Sequence, residues 1–107
     1  MILNKQLEDR WFKFSLAEQM ANVGSEIGRA INWRDKDEKL SKASFERGLE
    51  LLDLTIDDAK NKKRLKELLR VRETLADYFC FGNVYGSSDE KWNSYFYAFN
   101  YFARLNR

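Results

Sequence analysis

The chain has 107 residues, with 19 Lys and Arg against 17 Asp and Glu and a formal net charge of +2. That length suits one domain with a core of its own, and so small a charge excess is no electrostatic footprint of a nucleic-acid partner. Histidine is absent and cysteine occurs once, at Cys80, which excludes Ser–His and Cys–His nucleophilic pairs, His-ligated zinc and an intramolecular disulfide.

Proline is also absent and glycine is sparse, so few residues break a helix. The expectation is an all-α fold: a four-helix bundle in a single domain, 1–107, with residues 1–14 as an arm or a fifth short helix. No apolar run approaches the ~20 residues of a membrane span. Nothing resembles a signal peptide, and a cytoplasmic location is expected.

In chain order, Leu3, Leu7, Trp11 and Phe14 come first, at helix-like spacing. Ser15-Leu16-Ala17-Glu18 reads as a capping box, opening a helix to about Trp33. Its apolar face is Leu16, Met20, Val23, Ile27 and Ile31, with a line of small residues beside it: Ala17, Ala21, Gly24, Gly28. Glycine costs a helix about 1 kcal/mol per residue, so this line predicts a closely packed neighbour.

Arg34 to Lys39 is a charged connector. A second helix is predicted from about Ser41 to Ile56, with a main stripe of Phe45, Leu49, Leu52 and Ile56. Leu40, Ala43, Leu51 and Leu54 lie nearly opposite, and an acidic row, Glu46, Glu50, Asp53 and Asp57, runs between. A helix apolar on two sides is central in a bundle or shared with another chain. Asp57 or Asp58 is placed to cap a third helix that runs to about Cys80, with Gly82 as its stop. The apolar face expected there is Leu65, Leu68, Leu69, Leu75, Ala76 and Phe79, with Arg72 in its middle. After a loop at 81–88, Ser87-Ser88-Asp89-Glu90 reads as a second capping box for the last helix. Within YFYAFNYF, at 95–102, helical spacing assigns Tyr95, Phe96, Phe99 and Phe102 to the core, together with Trp92 and Ala103. Tyr97 and Tyr101 fall on the other side.

Arg72 is the first candidate site. A guanidinium cannot lose its charge, so a buried one needs a carboxylate. Glu26 is the preferred partner, Asp53 and Glu50 the alternatives, and an anion-binding role is the competing reading. Lys62, Lys63, Lys66 and Arg70 form a basic helix face able to meet phosphates. Glu50-Leu51-Leu52-Asp53 has the ExxD spacing of all-helical nucleotide pyrophosphatases, but their companion ExxE is missing. Gly82 to Ser87 superficially resembles a phosphate cradle, without the lysine or strand of a P-loop. No cofactor or metal is implied.

Three segments, SLAEQMANVGSEIGRAINW, FERGLELLDLTI and RETLADYF, resemble a group of short, uncharacterised prokaryotic proteins over roughly Ser15 to Arg104. The resemblance implies a helical fold and carries no activity. The expected function is therefore a non-enzymatic interaction module that forms a homodimer through Leu40, Ala43, Leu51, Leu54, Tyr97 and Tyr101. A small nucleic-acid binder is the alternative, and a metal-dependent nucleotide hydrolase using Glu46, Glu50 and Asp53 a remote one.

Overall fold

The capping box at Ser15 forms in full. Ser15 Oγ accepts from the Glu18 backbone N–H at 3.1 Å, and Glu18 Oε1 accepts from the Ser15 N–H at 3.0 Å. Two of the donors that every helix start leaves unpaired are thereby satisfied. The structure, a computed structural model, describes residues 5–105; Leu3 and the side chain of Leu7 lie outside the described residues. It is all-α: α1 (Lys5–Trp11), α2 (Leu16–Trp33), α3 (Glu38–Asp57), a 3-10 turn (Ala59–Arg64), α4 (Leu65–Cys80) and α5 (Asp89–Leu105). No strand occurs among the described residues. Residues 5–11 are thus a short helix and not an extended arm.

The ends follow their caps. Asp37 accepts from the Leu40 N–H, so α3 starts three residues earlier than its apolar stripe suggests. Asp58 does cap, but the element it caps is the 3-10 turn, and α4 proper begins at Leu65. Ser88, not Ser87, caps α5 by accepting from the Lys91 N–H, so the predicted second capping box shifts by one residue and loses its Glu.

α2 is the central helix. It packs along α3 on one side and α5 on the other, while α4 packs on α3. The core is one cluster built around Met20, Val23, Ile27, Leu52, Leu68, Leu75, Trp92 and Phe96. α3 turns an unexpectedly polar and small face inward: Ser41, Ser44, Gly48 and Thr55 are all buried beside Phe45 and Leu52. Ser41 Oγ donates to the Ala30 carbonyl at 2.6 Å, which satisfies the hydroxyl and lets the two backbones approach.

Three sequence expectations are corrected. The buried face of α4 keeps Leu68 and Leu75 of the predicted stripe, with Phe79 packed against the core, and adds Val71, while Leu65 and Leu69 are exposed. Phe102, assigned to the core, is exposed. Leu54, assigned to an outward face of α3, is buried in the core.

The two glycines of α2 differ. A Cβ at Gly24 would lie 2.6 Å from Phe96 Cβ and 2.8 Å from its Cγ, so α5 rests directly on that position. A Cβ at Gly28 would meet nothing within 4 Å. Gly24→Ala must therefore displace α5 and is expected to cost ~1–3 kcal/mol. Gly28→Ala only improves helix propensity and is expected to gain ~0.5–1 kcal/mol. Thermal melts of the two variants, at about 4–8 °C per kcal/mol for a domain of this size, should move in opposite directions; equal shifts would refute the packing difference.

Candidate functional site

Arg72 sits on α4 at the edge of the core and remains partly exposed. Its Nε donates to Asp53 Oδ1 at 2.6 Å and its Nη2 to Asp53 Oδ2 at 3.3 Å. The partner is thus one of the two alternatives, and the preferred Glu26 pairs instead with Arg29 one turn along α2, at 3.2 Å. The correction follows from the rotation of α4: with Leu68, Val71 and Leu75 inward, position 72 faces the acidic row of α3. The hydrogen bond to Asp53 holds the Arg72 guanidinium above its ordinary value against the opposing effect of burial. This fork ties α4 to α3 and occupies Asp53.

Lys62 and Lys63 lie on the 3-10 turn, Lys66 and Arg70 on α4, and all four are exposed. Lys63, Lys66 and Arg70 share a shallow concavity with Glu67 and Glu73, so carboxylates interrupt the basic face. Arg64 closes on Glu67 from 2.9 Å. No group of three or more metal-ligating side chains occurs among the described residues, so the row Glu46, Glu50, Asp53 meets no opposing carboxylates of the kind a pyrophosphatase uses.

The loop after α4 is no phosphate cradle. The backbone N–H groups of Val84 and Tyr85 already donate to the buried Asp77 carboxylate, at 3.0 and 3.1 Å. Asn83, at φ 53°, folds the turn on itself through bonds with the Ser87 N–H and carbonyl; Asn tolerates this left-handed conformation better than most residues. The donors a phosphate would use are taken.

The aromatic helix α5 carries two faces. Trp92 and Phe96 are buried, with Tyr95 and Phe99 packed against them. Tyr97, Tyr101, Phe102 and Leu105 are 64%, 52%, 54% and 60% exposed, a stripe along the outer side of the last turns. Beside it, Ala21, Gly24 and Ser25 of α2 and Asn93, Tyr97 and Asn100 of α5 line a shallow trough. Of the interface residues expected on α3, Leu40 and Ala43 are exposed, Leu51 is half-buried and Leu54 is buried.

Two polar clusters escape sequence reading. In the first, the buried Gln19 donates to the Trp11 carbonyl at 3.0 Å and to Asp58 Oδ2 at 2.8 Å. Asn61 donates to Gln19 Oε1 at 2.8 Å and to the Thr55 carbonyl at 3.0 Å, and Trp11 Nε1 donates to Thr55 Oγ1 at 3.1 Å. Lys60 closes the set by bonding Asp58 and the Phe12 carbonyl. In the second, Arg34 Nη2 donates to both oxygens of Asp89, at 2.7 and 2.8 Å, the guanidinium lies over Tyr78 and Phe79, and Asp89 also accepts from the Tyr78 hydroxyl. Burial, then the bond to Asp89, pushes the Tyr78 phenol up. The only sequence signal for either was a polar residue at a core-facing register, Gln19 among Leu16, Met20 and Val23. Every donor in the first cluster points at another protein atom, which marks it as structural.

Compared with protein-family models, with proteins of assigned function and with solved structures, the chain matches none.

The first cluster makes stability depend on acid. Burial works against ionising Asp58, but the bonds from Lys60 and Gln19 together outweigh it and hold the carboxyl below its ordinary value. A depressed carboxylate stabilises the fold above its unfolded value of about 3.9 and ceases to as pH falls through its lower folded value. Asp58→Asn is expected to lose ~1–3 kcal/mol at neutral pH and to flatten the fall in melting temperature at the acid end. Thermal unfolding by circular dichroism from pH 7 downward tests this; parallel curves for the two proteins would refute it.

Proposed function

We propose that this protein is a non-enzymatic helical interaction module that pairs with a second copy of itself through the outer face of α5. One observation carries the reading: the stripe Tyr97, Tyr101, Phe102 and Leu105 is exposed along one side of a helix whose other side is already in the core. Tyrosine and phenylalanine are enriched at interfaces, where they contribute area at small entropic cost. A two-fold pair places the same patch on both copies. The trough beside the stripe is lined in part by Ala21 and Ser25, small residues that let a second helix lie close.

The inner sides of α3 contribute less than the sequence suggests. Leu54 belongs to the core and Leu51 is half-buried, which leaves Leu40 and Ala43 as a secondary contact at the start of α3. No helix among the described residues is long and apolar enough to cross a membrane.

Sedimentation velocity on the full chain tests the proposal. A dimer is expected at about 100 µM, and Tyr101→Glu or Leu105→Glu should weaken it by about tenfold or more, with helix content unchanged. Lys66→Ala should leave it intact. A wild-type protein that sediments as a monomer at that concentration would end the proposal.

A further inference from the structure

Between α4 and α5 runs an open groove of about 300 Å³, at the lower end of the size range of small-molecule sites. It forms because α5 packs closely on α2 and only lightly on α4. Its apolar lining is Val71, Trp92 and Tyr95, and Arg70 and Lys91 add two cations from its two walls.

Trp92 is 7% exposed, yet its Nε1–H has no acceptor. Burying such a donor unpaired costs about 1–3 kcal/mol, so each one in a native structure asks for a partner. The other indole of the core, that of Trp11, has its acceptor in Thr55. The groove also holds one carboxylate, Glu67, but its oxygens are engaged: Arg64 forks onto both, and the Tyr95 hydroxyl donates to Oε2 at 2.9 Å. Arg64 offsets the charge of Glu67. Arg70 makes no ion pair among the described residues, and Lys91 contacts only a neutral acceptor, the Gly86 carbonyl, at 3.1 Å. With Glu67 already paired, Arg70 and Lys91 are the two cations available over an aromatic lining.

We propose that this groove binds a small aromatic molecule bearing one anionic group, a carboxylate or phosphate. The ring lies against Val71, Trp92 and Tyr95, and the anion meets Arg70 and Lys91. The site is separate from the outer stripe of α5 and does not depend on the oligomeric state.

The test is a two-dimensional ¹H–¹⁵N titration of the full chain, read at the indole N–H signals. Trp92→Phe assigns the Trp92 signal by its loss. Phenyl phosphate is the probe, with inorganic phosphate and benzyl alcohol as its two halves. The Trp92 signal should move saturably with phenyl phosphate while that of Trp11 stays, and each half alone should bind at least about tenfold more weakly. Arg70→Ala and Lys91→Ala, both exposed positions, should each weaken binding by about tenfold, as expected for loss of a charged contact. A static Trp92 signal would overturn the proposal. So would equal binding of inorganic phosphate or benzyl alcohol, or undiminished binding by both variants.

Discussion

Gln19 has no exposed surface, and its amide can be tolerated there only if its donors and acceptor are matched. The match comes from two separate segments: the end of α1 through the Trp11 carbonyl, and the 3-10 turn through Asp58 and Asn61. Thr55, itself fully buried, links the same set to α3 through Trp11 and Asn61. A network of this kind is worth having only when complete, since each missing partner leaves a buried polar atom at full desolvation cost. A small slip of α1, α2 or the 3-10 turn breaks several bonds at once. The register of α2 and the launch point of α4 are therefore fixed together, and the apolar core, which would accept several neighbouring packings, is held to one.

A second clamp acts at the far end of α2. Arg34 caps the C-terminal end of that helix and Asp89 sits in the first turn of α5, so each charge lies at the helix end whose dipole it complements. The pair is partly exposed, and an ordinary ion pair there would contribute little. The added Tyr78 hydroxyl and the placement of the guanidinium over Tyr78 and Phe79 make it more specific than a lone charge contact. It brings together the ends of α2, α4 and α5. The Asp77–Asn83 loop works beside it, fixing the reversal between the last two helices with backbone donors.

Helix number, order and class were legible because periodicity and capping are local. Ser15 and Glu18 announce α2 by themselves, and Met20, Val23 and Ile27 repeat at helical spacing. Rotation about each axis was less legible, because it is set by partners distant in sequence. Leu69 and Phe102 look like core by spacing and lie largely exposed. Ser41, Ser44 and Gly48 look like surface and lie inside, since close approach of α2 and α3 favours small side chains over large ones. The same rotation changes the partner of Arg72 from Glu26 to Asp53. Gln19 and Asn61 are beyond composition or period altogether: each is buried only because the other is there. Tyr97 and Tyr101 were separable from the core because they break the period of their own helix.

The surfaces that remain available trace to a single contact. Phe96 rests on Gly24 with no space for even a methyl group between them, which draws α5 against α2. A helix held so closely on one side cannot also close on α4, where bulky Trp92 and Tyr95 stand between. The gap becomes the groove lined by Arg70, Lys91 and the unpaired Trp92 indole. With α2 covering its inner face, α5 leaves Tyr97, Tyr101, Phe102 and Leu105 largely exposed on its outer face. One glycine in the central helix thus sets the position of the last helix, and that position produces both a cationic aromatic groove and an apolar stripe, on different sides of the same element.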